Sequence, residues 1–367
     1  MSGGACENCL RRAQLLGLLA PWIEAVATGE QGQRSPQLLA LADEPLARAV
    51  AGRKADRLLA EVSRSDADAL RESTGKAGCW SVCRHGDGYP AQLLELGDAP
   101  PALFCRGDRD GLERLALETT VTVVGARRAT TYGREVAESL GAQLAVAGMT
   151  VASGLAWGVD GAAHRGAVRT GFTVAVLGCG ADVAYPRHHS SLYGEIVESG
   201  LVVSELPPGT GAWRWAFPAR NRIMAALASM TVVVEAAGRS GSLITSELAA
   251  DLGREVGAVP GPVGARMSTG TNQLICDGAR VVRDAGDVIE ALIGPGATRP
   301  SAGPKIDPEL VEVLDEVEAG SSDPDSIALA LRRDAEPTLA ALARLELLGY
   351  LRRSFAGAYE RTTLPRP

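Results

Sequence analysis

Between Val121 and Asp284 the chain repeats one pattern: a short, Val-rich run followed by a helix-length amphipathic stretch. The runs are VTVVGA, TVASG, TVAVLG, LVVSEL, TVVVEA, EVGAVPG and ARVVRD. Helices are expected over Tyr132 to Ala147, Gly158 to Arg169, Ser190 to Glu198, Asn221 to Ala228 and Leu243 to Leu252. Runs that are apolar without alternation belong to strands covered on both faces, and parallel strands need a helix-length crossover to return. Few folds satisfy both conditions. The expectation is an α/β fold: an extended Rossmann-like, mostly parallel sheet with helices on both faces.

The flanks read differently. Apolar spacing in CLRRAQLLGLLAPWIEAV and PLARAVAGRKADRLLAEV predicts short helices, placed in a helical domain (SAM or helix-hairpin-like) over residues 1–88, with the sheet domain over 89–293. The stretch rich in Gly, Pro and Trp from Gly78 to Asp108 is a lead-in to the core. GPGATRPSAGPK has linker composition over residues 294–305. Beyond it, three helical patterns and two β-like pieces, YLRRSF and AYERTT, outline a winged-helix-like domain over 306–367. That domain carries eight cations against twelve acids from Lys305 to Pro367, so a protein contact or a structural cap suits it better than groove binding.

No run of eighteen apolar residues occurs, and the N-terminus lacks the order of a secretory signal, so no membrane partner and a cytoplasmic location are expected. Seven cysteines at irregular spacings suit reduced thiols. Cys6 and Cys9 form a CxxC that Cys79, Cys83 or His85 could complete as a zinc site. Without a second pair at standard spacing they read as ordinary thiols, and neither a metal nor a cofactor is expected.

A net charge of −7 speaks against nucleic acid until its distribution is considered. From Thr119 to Ile293 there are fourteen arginines, fifteen acids and no lysine, and several arginines fall in glycine-rich loops where strands end. Open α/β sheets bind ligands just there. After the first strand comes GARRATTYG, which lacks both GxGxxG and a following acidic ribose ligand, and no GxxxxGK[ST] occurs. Gly125 instead permits close backbone approach, and Arg127 and Arg128 stand beside Thr130, Thr131 and Tyr132 at a helix start suited to an anion. In SGLAWGVDGAAH, Asp160 and His164 share a helix face; with no nucleophile nearby, Asp160 is read as capping the helix or orienting His164. FPARNRI brings Arg220 and Arg222 to a helix start behind Trp213, Trp215 and Phe217, a mixture suited to single-stranded nucleic acid unless the aromatics pack the loop. GRSGSLIT offers Arg239, Ser240, Gly241, Ser242 and Thr245 as small donors.

These motifs run in the order of the DNA-processing protein A family, also called Smf, which the chain resembles: GARRATTYG, SGLAWGVDGAAHRGAV, TVAVLGCGADVAYPRHH, LVVSELPPG, FPARNRIMAALA, VVVEAAGRSGSLIT, AVPGPV and GTNQLICDGA. The resemblance covers roughly Pro90 to Leu292; Ala126 stands where serine is common. It implies a homodimer that binds single-stranded DNA with little sequence preference and loads the RecA recombinase onto it, in natural transformation and recombination, without being an enzyme. Carried onto this chain, Arg127, donors around Ser153 and Gly154, Arg220, Asn221, Arg222 and the Gly238 to Thr245 loop would grip the DNA backbone, and Phe217 would meet a base or shape the pocket. A rival reading is a nucleotide-hydrolysing Rossmann enzyme of the phosphoribohydrolase type, with Glu247 in GRSGSLITSE as its acid.

Overall fold

In the computed structural model, which describes residues 4–27, 36–238, 240–294, 306–354 and 357–362, the chain opens with helices α1 (Glu7–Ala27), α2 (Pro36–Ala40), α3 (Asp43–Ala51), α4 (Ala55–Ser63) and α5 (Ala67–Lys76). The sheet region follows as β1 (Trp80–Cys83), β2 (Ala102–Gly107), α6 (Gly111–Leu117), β3 (Thr120–Val124), α7 (Thr131–Val146), β4 (Thr150–Ser153) and α8 (Val159–Val168). It continues through β5 (Thr173–Leu177), α9 (Ser190–Ser199), β6 (Leu201–Ser204), α10 (Ala216–Leu227), β7 (Met230–Val233) and α11 (Gly241–Asp251). It closes with β8 (Glu255–Ala258), α12 (Thr269–Cys276), β9 (Arg280–Val281) and α13 (Ala285–Ile293).

The strands form one sheet in the order β1-β2-β6-β5-β4-β3-β7-β8-β9. Strands β3 to β9 are mutually parallel, while β2 runs antiparallel to both β1 and β6. The core is therefore the extended Rossmann-like, mostly parallel sheet with helices on both faces. Residues 80–107, read as a lead-in, instead add two strands to its edge.

One face buries Val121, Val123, Val151 and Val232 under Leu140 and Leu144 of α7, Ala162 and Ala163 of α8 and Val288 of α13. The other buries Val124, Val176 and Val203 under Leu112 and Leu115 of α6 and Ile223 and Met224 of α10. Each such Val or Leu contributes roughly 1.5–3 kcal/mol when withdrawn from water, which is why a continuous apolar strand is stable only between two helical layers. The N-terminal helices share this body: Leu16 and Leu19 of α1 and Leu46 of α3 pack with Leu206, Trp215 and Ala219.

The chain divides into two compact units, residues 1–298 and 299–367. The second contains α14 (Pro308–Glu318), α15 (Pro324–Leu331), α16 (Ala335–Leu347) and an antiparallel hairpin of β10 (Leu351–Arg353) and β11 (Tyr359–Arg361). It has its own core of Leu310, Val313, Ile327, Leu342, Leu345 and Tyr350. Apart from Gly294, the linker expected over 294–305 lies outside the described residues.

Among the described residues no helix is long and apolar enough to cross a membrane.

Candidate functional site

Strand order runs outward from β3 through β4, β5 and β6 on one side, and through β7, β8 and β9 on the other. Connections leaving β3 and β7 therefore part in opposite directions, and a crevice opens outside their carboxyl ends. A cavity of about 570 Å³ occupies it. Its walls come from the loops after β3 (Gly125, Arg127), β4 (Ala156), β7 (Ser240) and β8 (Arg266), and from the first turns of α8 (Asp160) and α10 (Phe217, Arg220).

Of the residues expected at the site, Gly125, Arg127, Phe217, Arg220, Asn221, Ser240, Gly241, Ser242 and Thr245 all line this cavity. Arg127 is exposed, and its guanidinium lies 5.2 Å from the centre of the Phe217 ring, which Tyr185 meets from another direction at 5.4 Å. Ser240 caps α11: its hydroxyl accepts from the Ser242 amide at 3.4 Å and lies 2.8 Å from the Ser242 hydroxyl. Asn221 donates to the Gly241 carbonyl at 3.4 Å and so ties α10 to that loop. The start of α11, with the partial positive charge of a helix N-terminus, thus opens onto the cavity. Thr245 is buried at its base. Arg239 lies outside the described residues.

Arg220 is the internal cation of the site. It is 4% exposed, hydrogen-bonds the Val176 carbonyl through Nη1, and faces Asp160 at 3.7 Å. Burial pushes the Asp160 carboxyl up and the Arg220 guanidinium down; their mutual attraction opposes both shifts. The Arg220 Nε–H is buried with no partner, so this cation is only partly satisfied by the protein.

Three expected residues do different work. Gly154 lies beneath Arg220: a Cβ there would sit 1.8 Å from Nη1, so the glycine is the space through which the guanidinium passes. Ser153 is fully buried and its Oγ donates to the Val123 carbonyl at 2.6 Å, a bond between strands rather than a phosphate donor. Arg222 does not reach the cavity at all. Its guanidinium bonds Glu205 at 2.9 and 2.8 Å and Asp98 at 2.8 Å. Burial works against its charge, but these two carboxylates outweigh burial and hold its pKa above the usual arginine value. The expectation that Arg222 grips DNA is corrected: its charge is spent inside the protein.

The helix start after Arg128 is likewise filled from within. Glu235, at the end of the β7 run, accepts from the Thr130 amide at 2.8 Å and from its hydroxyl at 2.6 Å. Thr130 in turn caps α7 through the Gly133 amide at 3.1 Å, and a Cβ on Gly133 would fall 2.3 Å from the carboxylate. A protein carboxylate, not a ligand, occupies this N-terminus.

Asp160, inside the first turn of α8, accepts from the Ala156 amide at 3.4 Å and so braces the loop before the helix; the N-cap itself is Gly158, which makes no side-chain cap bond. His164 is held instead by Thr173 at 2.8 Å. Trp215 is buried, and its indole donates to the Ala20 carbonyl at 3.1 Å, so it serves packing of α1 rather than a base. Glu247, the acid of the rival hydrolase reading, is exposed on α11 and does not line the cavity.

Arg128 and Arg266 join Arg127 as exposed cations on the cavity wall, and none of the three makes an ion pair among the described residues. Arg266 was not singled out from the sequence, although its place just after the EVGAVPG strand follows the same rule that found the other loops. Trp157 and Tyr185, 47% and 42% exposed, lie beside the site without lining the cavity, and neither stands out in the sequence because each is a lone aromatic in its motif. Trp157 stacks on His188 at 4.5 Å.

Residues 80–293 match the model of the DNA recombination-mediator protein A family. The chain is 36% identical over 354 residues to the putative DNA processing protein DprA of Mycobacterium tuberculosis, covering 93% of this chain and 88% of that protein. It is 42% identical over 204 residues to the DprA of Streptococcus pneumoniae, covering 55% of this chain and 71% of that one. A solved structure of DNA processing protein A from S. pneumoniae superposes with a TM-score of 0.61 at 33% identity, covering 77% of this chain and 95% of that one. One from Helicobacter pylori, described with its single-stranded DNA binding mode, gives 0.52 at 30% identity over 56% and 92%. On sequence and on fold alike, the chain belongs to the DNA recombination-mediator protein A family.

Proposed function

We propose that the protein binds single-stranded DNA in the cavity at the carboxyl ends of β3 and β7, with little sequence preference, and delivers the strand to the RecA recombinase in transformation and recombination. The observation that carries the reading is a cluster of cations: the buried guanidinium of Arg220 on the wall of a cavity rimmed by Arg127, Arg128 and Arg266, which make no ion pair among the described residues. A phosphate in the cavity would neutralise the rim through charge-assisted hydrogen bonds and offset the buried charge of Arg220. Phe217, Tyr185 and Trp157 supply ring faces on which any base can stack, which suits a strand read by its backbone rather than its edges. The residues act by binding, with no covalent step. Action as a homodimer in the cytoplasm and delivery to RecA rest on membership of the family.

Fluorescence anisotropy of a labelled single strand and a matched duplex over a salt series tests the reading. Arg127→Ala and Arg266→Ala are each expected to weaken single-strand binding and to lower the log–log salt slope by about 0.7, the loss of one phosphate contact. A wild-type protein that does not bind the single strand at low salt, or variants with unchanged slopes, would reject it.

A further inference from the structure

Cys6 immediately precedes α1 and Cys9 lies in its first turn, three positions on, so both thiols face the same way. Cys83 ends β1, and the chain then turns tightly, with the Gly86 amide bonding the Cys83 carbonyl at 2.9 Å and His85 inside the turn. The segment before α1 is tied to β1 by the Ala5 amide, which donates to the Ser81 carbonyl at 3.2 Å. These two anchors bring together residues that are 76 positions apart in the chain.

Cys9 Sγ lies 3.3 Å and Cys6 Sγ 3.6 Å from His85 Nδ1, and the four ligand atoms of Cys6, Cys9, Cys83 and His85 all lie within 4.8 Å of one another. A tetrahedral zinc ion, with bonds of about 2.3 Å to sulfur and about 2.0 Å to nitrogen, sets its ligand atoms roughly 3.5–3.8 Å apart. The Cys6 amide donates to Cys83 Sγ at 3.3 Å, the amide-to-sulfur bond that steadies a thiolate ligand. Cys9 and Cys83 are buried, Cys6 is half-buried and His85 is exposed, which leaves one open side for an ion to enter. A dithiol redox pair would need only two of these groups. Cys79 stands apart, its thiol directed at the Ala77 carbonyl.

We propose that Cys6, Cys9, Cys83 and His85 bind a structural Zn²⁺ ion that fastens the start of α1 to the end of β1. Four protein ligands close the coordination sphere, so the ion holds structure and leaves no position for a reacting water. The sequence reading expected ordinary thiols because the second half of the site is a CxH rather than a second CxxC. Only the antiparallel edge strand β1, itself unexpected, carries that half to the first.

Metal analysis of the full chain, expressed with zinc and purified under reducing conditions, tests the proposal. The expected content is about one zinc per chain in the wild type and in Cys276→Ser, an exposed cysteine elsewhere, falling at least about tenfold in Cys83→Ser and in His85→Ala. Because a variant could lose metal by misfolding, the wild type is also stripped with a chelator and titrated with Co²⁺. Thiolate-to-cobalt charge transfer and the strong visible bands of tetrahedral cobalt should appear at about one equivalent. A wild type with no zinc and no tetrahedral cobalt spectrum would overturn the site, as would zinc content undiminished in the Cys83→Ser, His85→Ala double variant.

Discussion

Arg220 and Arg222 are two positions apart on α10 and serve opposite ends, because residues two apart on a helix are turned about 200° from one another. Both were read as standing at a helix start, where loop freedom could aim them together. The helix begins earlier, at Ala216, with Pro218 tolerated in its first turn, and this fixes Arg220 toward the cavity and Arg222 toward Asp98 and Glu205. Arg222→Ala should cost about 3–5 kcal/mol of stability in urea unfolding, since it strands the buried carboxylate of Glu205 and the half-buried one of Asp98. Single-strand affinity of the folded fraction should stay within about twofold. A large affinity loss at unchanged stability would return Arg222 to the DNA site. His164 gives a pH test. Burial lowers its pKa from 6.5 to about 3, so between these values the unfolded chain takes up a proton that the native state refuses. Stability is then full above pH 6.5 and declines as pH falls toward about 3, by a few kcal/mol. His164→Gln should flatten that decline in urea midpoints taken across the window; an unchanged slope would place the acid sensitivity elsewhere.

At the scale of elements, long β-α alternation was legible because continuous apolar runs and helix-length gaps admit one arrangement. The edge strand β1 and its neighbour β2 were not. They are antiparallel to the strands beside them, and sit among prolines and glycines whose composition reads as loop. The bonds that hold Thr130, the N-cap of α7, to Glu235 were equally hidden, since the two are 105 positions apart. Packing of α7 on α8 depends on a backbone approach at Gly166, where a Cβ would fall 1.9 Å from the Glu138 carbonyl oxygen. Gly166→Ala should therefore destabilise by about 1–3 kcal/mol through forced separation of the helices. Gly75, inside α5 with nothing within 4 Å of a Cβ, provides the contrast: Gly75→Ala should be neutral or stabilise by up to about 1 kcal/mol. Thermal midpoints of the two variants moving in the same direction would refute this account.

Taken whole, the molecule carries a net charge of −7 and yet gathers Arg127, Arg128, Arg220 and Arg266 around one crevice. Net charge was therefore a poor guide to partners, whereas the rule about strand ends located the crevice from the sequence. What the rule could not supply was which arginines the protein keeps for its own carboxylates, because Asp98 and Glu205 meet Arg222 only once the sheet has formed. The crevice also draws its walls from loops spread between Gly125 and Met267. No single loop or helix contains it, so an anion that fills it favours the state in which these strands and helices are assembled. Occupancy thereby becomes a source of cohesion for the whole sheet: a ligand at a hundred times its dissociation constant adds about 2.7 kcal/mol to the free energy of unfolding, spread over strands that never touch it.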